Sequence, residues 1–351
     1  MRVMQYARLS LSAAVAAAAL SACGKDSSGP SEFNPQGTTS DMAAAHDAFA
    51  SEPSASFVSV GAQISAALSG GPVAITAPLV SPRPTAATLA YARQLVRFLP
   101  GQQARIQAAM GAIPSEILGT TYVWDEASDT YVASDAAGAP STGVRFLLYA
   151  VDPVTRVPVE PVVEVGYVDV LDHSTVTTTA IQVKVVSGST VYLDYNISAS
   201  GTETSGSVTV SGYAFNGATR ANFNLTVTLS QSTFSLDYSL TVPSRKLSLD
   251  WTATIGNITQ EDVAVTLDFA IAGPNGDVRL VGTMGATGGA FTVKVNGSQF
   301  ATITLEGDAA VITGANGASL TPEEEETLHT ILDYYDESAA VFADLLAPLS
   351  M

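Results

Sequence analysis

From Val144 to about Leu305 the chain alternates apolar and polar residues with period two, strand after strand, and no other feature limits its architecture so tightly. Successive side chains of a strand point to opposite faces, so each run gives one apolar and one wet surface. Val191, Leu193, Tyr195 and Ile197 share one face, while Tyr192, Asp194, Asn196 and Ser198 take the other. The pattern returns in Phe223, Leu225, Val227 and Leu229, in Phe234, Leu236, Tyr238, Leu240 and Val242, and in Val263, Val265, Leu267, Phe269 and Ile271. The links are short and rich in Gly, Ser and Asn, as at Ser187-Gly188-Ser189, Asn216-Gly217 and Asn275-Gly276. Connections of that length join only antiparallel neighbours, which predicts a long meander. Phe300 breaks the phase of Ile303 and Leu305 just after the Asn296-Gly297 turn signal, and a β-bulge would restore it. Ahead of this region, Thr121 to Ser134 reads as a hairpin with Tyr122, Trp124 and Tyr131 on its arms and Glu126 to Asp129 in the turn.

The flanking segments change period. Ser40 is a candidate cap for a short helix through Glu52, and Phe57, Val60, Ile64 and Leu68 recur at helical spacing before Gly70, Gly71 and Pro72. Residues 72–84 read as extended, a further helix is predicted from Thr85 to Leu99, stopped by Pro100, and a shorter one spans Arg105 to Met110. At the other end, Thr321 and Glu324 form a capping box around Pro322, with Glu323 to Glu326 at the positive end of the helix dipole. Leu328, Ile331, Leu332, Tyr335, Phe342 and Leu345 then trace an apolar stripe that must dock on something.

The N-terminus carries an address. Arg2 and Arg8 precede an alanine-rich apolar run, Leu9 to Leu20, shorter than the roughly 20 residues needed to cross a bilayer. Leu20-Ser21-Ala22-Cys23, followed by Gly24, resembles the bacterial lipoprotein signal, the lipobox. The resemblance covers residues 1–24 and implies cleavage before Cys23, acylation of that residue with a diacylglycerol and a fatty acid such as palmitate, and a membrane anchor. Gly24 in place of an aspartate implies the outer membrane, with the periplasmic or surface side left open. The domain reading is a signal peptide over 1–22, a flexible tether over 23–39, a helical region over 40–112, an antiparallel sheet over 113–313 and a C-terminal helix over 314–351, with 40–351 as one folded body.

Removing residues 1–22 takes away two arginines and no acids, leaving 13 basic against 33 acidic groups, a net charge of −20. That balance repels phosphates and argues against nucleic acid as a partner. Cys23 is the only cysteine, so no disulfide can staple the body and packing must stabilise it.

Chemistry-bearing motifs are sparse. His46, His173 and His329 lie in different segments, and none has a second histidine or a cysteine at metal-ligand spacing. Asp172-His173-Ser174 suggests a triad by composition, but adjacent residues of an extended chain face opposite ways, and a turn is the better reading. One recurrence stands out: Leu193-Asp194-Tyr195, Leu236-Asp237-Tyr238, Leu249-Asp250-Trp251 and Leu267-Asp268-Phe269. In each, the carboxylate opposes the apolar face. In register, Asp194, Asp237, Asp250 and Asp268 would form a ladder able to hold Ca²⁺. Their unequal spacing favours separate solvated charges that guard strand edges, and no cofactor is expected.

The expected architecture is α+β: a large, twisted antiparallel meander, curled or half-barrel-like, with N-terminal helices and one C-terminal helix on its apolar face. In outline only, this is similar to the periplasmic half-barrel lipoprotein carriers, which hold acyl chains. The expected function is a non-enzymatic binding module for a hydrophobic or lipid ligand, with Tyr195, Tyr238, Trp251 and Phe269 as wall residues. The alternative is a structural scaffold that binds another envelope protein through its polar sheet face or edges. An outer-membrane barrel would alternate too, but the amphipathic ends and the lack of an aromatic girdle argue against it.

Overall fold

Tight turns set the topology. Asn296 and Gly297 both take positive φ, +49° and +80°, the pair of conformations that a two-residue hairpin needs and that Asn-Gly supplies with little strain. Similar short turns repeat along the chain, and the outcome, among the described residues, is one open sheet of 15 strands. The computed structural model describes residues 33–69, 113–152, 154–175, 178–201, 205–230, 232–256, 264–285, 288–306 and 309–346. The helices predicted from Thr85 and around Arg105, the extended stretch 72–84, and the signal and lipobox lie outside the described residues.

The strands are β1 (Thr121–Asp125), β2 (Thr130–Ser134), β3 (Gly143–Tyr149), β4 (Glu164–Asp172), β5 (Thr179–Ser187), β6 (Thr190–Gly201), β7 (Gly206–Phe215), β8 (Arg220–Leu229), β9 (Thr233–Val242), β10 (Leu247–Gly256), β11 (Ala264–Ala272), β12 (Val278–Met284), β13 (Gly288–Val295), β14 (Ser298–Glu306) and β15 (Ala309–Gly314). The described helices are α1 (Pro35–Asp47), α2 (Glu52–Ser59), α3 (Gly61–Ser69) and α4 (Pro322–Leu346). From β3 to β15 each strand pairs antiparallel with its chain neighbour. The sheet is not a pure antiparallel meander, however. The link after β2 carries the chain past β1, so β3 lands on the far side of β1 and runs parallel to it, through Thr121↔Arg145 and Tyr122↔Phe146. The phase break at Phe300 is a bulge: Val293 pairs with Ala301 and Lys294 with Gln299, leaving Phe300 between them.

Helix starts follow capping chemistry. Asn34, not Ser40, caps α1, its side chain accepting from the Gly37 amide at 3.0 Å, and Pro35 fills the first position. Helix thus begins inside the stretch whose composition suggested a tether. Ser51 caps α2, and the chain bends after Ser59 rather than continuing as one helix. The predicted stripe is buried all the same: Phe57, Val60, Ile64 and Leu68 are each 1% exposed or less. At α4 the capping box is complete, Thr321 N donating to Glu324 Oε2 at 2.8 Å and Glu324 N to Thr321 Oγ1 at 3.3 Å.

The core is the apolar face of the sheet together with the buried stripes of the helices. α2 lies on β3 to β6, with the buried Ser56 hydroxyl donating to the Tyr149 carbonyl at 2.7 Å. α1 runs along one rim. Asn34 N donates to Asn275 O in the β11–β12 turn, Asp41 accepts from Asn275 Nδ2 and Arg245 Nη1, and the Asp47 carbonyl accepts from Asn216 Nδ2 in the β7–β8 turn. Thirteen helical residues cover about 20 Å, close to the four strand spacings between those turns. This will be called the α1 rim; the opposite edge of the strands is the far rim.

Candidate functional site: the apolar floor beneath the C-terminal helix

Register brings three of the four expected wall residues together. Tyr238 on β9 is opposite Trp251 on β10, and Trp251 is opposite Phe269 on β11, so the three rings form one cross-strand row on the apolar face. They are 5%, 3% and 3% exposed, and the Tyr238 and Trp251 rings meet edge to face at 6.2 Å between centroids. Tyr195 stands apart on β6, opposite Gly212 of β7. A Cβ at Gly212 would lie 2.5 Å from that of Tyr195 and closer still to the Asp194 carbonyl, so only glycine lets the two backbones approach this far.

α4 is fastened over this face by phenols. The Tyr195 hydroxyl, wholly buried, donates to the Leu345 carbonyl at 2.8 Å, and Tyr238 shares a hydrogen bond with Tyr334 of the helix. Leu345 lies eleven positions after Tyr334, a rise of about 16 Å, which matches the three strand spacings from β9 to β6. The helix therefore crosses the strands. Leu328, Ile331, Tyr334 and Leu345 are buried against the core, whereas the side chains of Tyr335 and Phe342 lie outside the described residues. Burial drives the Tyr195 phenol well above its ordinary ionisation range, and burial followed by the Tyr334 contact does the same to Tyr238.

The floor is not covered evenly. Under α2 the inward residues Val144, Phe146, Leu148, Val168, Val170, Val183 and Val185 are all 0% exposed. Towards the far rim, another inward row reads Val208, Val227, Leu236, Ala253, Leu267 across β7 to β11, in continuous register. Here Val208, Val227 and Leu236 remain partly exposed, though they face the same side as the buried core. Phe234, Ile255 and Val265, one step nearer the rim, keep 9%, 6% and 4%. These partly exposed residues form an apolar shelf towards the far rim. Sequence alternation placed these residues on the apolar face, but alternation carries no information about which part of a face a helix covers.

The four aspartates share the outward face without forming one ladder. Asp237 and Asp268 flank Thr252 from either side, and Asp250 sits in the next outward row, opposite Ser239 and Ala270. Asp194 is three strands from β9 and is held by Gln182 Nε2 at 2.7 Å and Lys184 at 3.7 Å. Asp268 is paired with Arg279, whose Nε donates to Oδ1 at 2.8 Å. Among the described residues no group of three His, Cys, Asp or Glu side chains is placed to hold a metal ion. Asp172 ends β4, and His173 and Ser174 lead into the link to β5: Asp172 accepts from Ser174 N and Ile113 N, both at 2.8 Å, His173 N donates to Ala180 O, and the His173 ring meets Gln182. No helix among the described residues is long and apolar enough to cross a membrane.

No protein-family model, curated protein or solved structure matches this chain, so its fold and the chemistry of its residues are the only guides to its role.

Proposed function

We propose that the chain is an outer-membrane lipoprotein, anchored through acylated Cys23, whose body is a half-barrel-like, non-catalytic module that holds a hydrophobic or lipid ligand against its apolar floor. The observation that carries this reading is the partly exposed inward row Val208, Val227, Leu236, continuous with the aromatic row Tyr238, Trp251, Phe269. Inward apolar side chains that stay wet cost free energy, about 25 cal/mol per Å² of surface left unburied, which a ligand of matching polarity would recover. A small number of polar groups usually orients a ligand in such a site. Here the phenols that fasten α4 are nearest to that role. The titratable groups of the described strands lie mainly on the outward face, several in ion pairs, which fits binding better than chemistry.

Trp251 supplies the test. With Trp124→Phe it becomes the sole tryptophan, and a brominated fatty acid seated on the floor should quench its emission saturably. Native mass spectrometry of the detergent-free protein should find the same ligand class carried through purification. Trp251 emission indifferent to the brominated acid, in a folded protein that carries no lipid, would sink the reading.

The scaffold alternative has its own observation. Both edge strands, β2 and β15, are uncharged, and each presents an outward valine, Val132 at 38% and Val311 at 50% exposure. Natural edges usually carry charge or proline against strand addition. If a partner strand adds there, Val311→Lys should abolish its capture while ligand uptake stays unchanged.

A further inference from the structure

The described residues show six large hydrophobic side chains as exposed, and four of them, Val154 at 87%, Val157 at 39%, Val159 at 47% and Val163 at 57%, belong to the connection between β3 and β4. We propose that this valine-bearing connection rests on the surface of a zwitterionic lipid bilayer and fixes how the anchored body stands on its membrane. The inference rests on the anchored reading given above.

The valines are held out by a built structure. Asp152 Oδ1 accepts from the amides of Val154 and Thr155 at 2.9 and 2.8 Å, and from the Thr155 hydroxyl at 3.2 Å. Asp152 N donates to Val157 O, Val159 N to Ala150 O and Ala150 N to Val163 O, while Val151 and Pro158 form a bridge. Val162 N reaches Glu126 Oε1 in the β1–β2 turn at 3.4 Å. The connection is therefore a short second hairpin that seats Val151, Pro158 and Val162 inward and leaves Val154, Val157, Val159 and Val163 exposed. Four of the six exposed large hydrophobics fall within this one hairpin, a concentration that an interaction surface explains.

Its position identifies the occupant. β3 ends and β4 begins at the α1 rim, the same rim at which the chain enters the body, where Asn34 is bonded to Asn275 and the Phe33 ring packs on Phe300 at 5.5 Å. Phe33 lies ten positions after Cys23, at most about 35 Å of chain even if fully extended. An acylated Cys23 thus keeps the α1 rim within a short reach of the bilayer, and the exposed valines are on that rim. Charge selects the lipid. A net −20 for the chain without residues 1–22, with Asp152, Glu160 and Glu164 against Arg156 in and beside the connection, disfavours an anionic surface and leaves a zwitterionic one.

The test uses the acylated mature chain in phosphatidylcholine vesicles. Acylation consumes the native thiol, so Val154→Cys provides a single site for a fluorophore, and Ser232→Cys, in the exposed β8–β9 turn on the far rim, provides the control. Val159→Cys is a second reporter should the first disturb the hairpin. Nitroxide-labelled phosphatidylcholine should quench the dye at 154 or 159 several-fold more than at 232. Equal quenching at both rims, or none at either in a chain whose mass shows Cys23 acylated, overturns the inference and leaves the anchor standing. Shielding of position 154 in whole envelopes but not in pure lipid assigns the valines to a protein and overturns it as well. A mass that shows Cys23 unmodified removes the anchor, and this inference with it.

Discussion

The phenol of Tyr195, in the middle of β6, donates to the carbonyl of Leu345, one residue before the end of α4, at 2.8 Å. The last carbonyls of a helix have no partner within it, and one buried under a sheet needs one from elsewhere. Tyr195 supplies it. Tyr195→Phe removes the donor, keeps the ring and strands a buried acceptor, so it should destabilise the protein by about 1–2 kcal/mol. Urea unfolding with an unchanged slope would measure this; an unshifted midpoint would mean that the helix end finds another donor.

The same burial makes the fold sensitive to alkali. Folded-state ionisation of Tyr195, Tyr238 and Tyr131 is pushed upward, chiefly by burial, so these phenols stay protonated in the fold after those of the unfolded chain, near pH 10, have begun to ionise. Their contribution is complete below about pH 10 and declines as pH rises towards the folded-state values. Tyrosinate absorbance at 295 nm should therefore rise with a cooperative unfolding step above that pH. A gradual, independent titration of all the phenols would contradict the buried assignment.

Asp41 ties α1 to two turns of the rim. It is 5% exposed and accepts from Arg245 at 3.1 Å and Asn275 at 2.6 Å. Asp41→Ala should cost about 2–3 kcal/mol, since hydrogen bonds to a charged group are lost and the Asn275 amide is left without its acceptor. Hydrogen exchange should show α1 released ahead of the strands.

On the floor, Leu236→Gln places an amide in the partly exposed row without removing a fully buried side chain. It should weaken uptake of a brominated fatty acid at least about tenfold, roughly the cost of a poorly satisfied polar group facing an apolar ligand. Thermal stability should hardly move. A large loss of stability with unchanged uptake would make Leu236 core rather than floor.

Acid should loosen the valine hairpin first. The amides of Thr155 and Val154 hold the Asp152 carboxyl below its ordinary range, so the bracing is complete at neutral pH and is lost as pH falls through that lowered value. Amide exchange at Val154 and Thr155, corrected for its intrinsic pH dependence, should lose protection there before the β4 amides do. Asp152→Asn should remove the acid step.

Much of this molecule was legible in its residues. Period-two alternation located the strands from Val144 onward, Asn296-Gly297 with the misphased Phe300 announced a bulge, and Thr321 with Glu324 marked the start of α4, because each is a local rule obeyed locally. The parallel β1–β3 pair was not legible, since no residue between Ser134 and Gly143 records on which side of β1 the chain returns. Asn34 took the cap expected at Ser40 because Pro35 already opens a helix there, and tertiary contacts at Asn275 and Asp41 reward the earlier start. The aromatic row could be named from repeated Leu-Asp-aromatic triplets, yet only register shows that Tyr195 falls outside it. The partly exposed row depends on the line along which α4 crosses the strands, which is a property of packing rather than of pattern.

Strand pairing that follows chain order has a consequence for assembly. Each strand from β4 on needs only its immediate predecessor, so the sheet can lengthen from one side as chain arrives, closing small loops at each step. The first helix is different: Asp41 finds Arg245 204 positions later and Asn275 234 later, while Thr39 meets Thr327 after 288. α1, made long before its partners, is thus among the last elements to be seated, and its latch works as a check that the strands have been delivered nearly to the last.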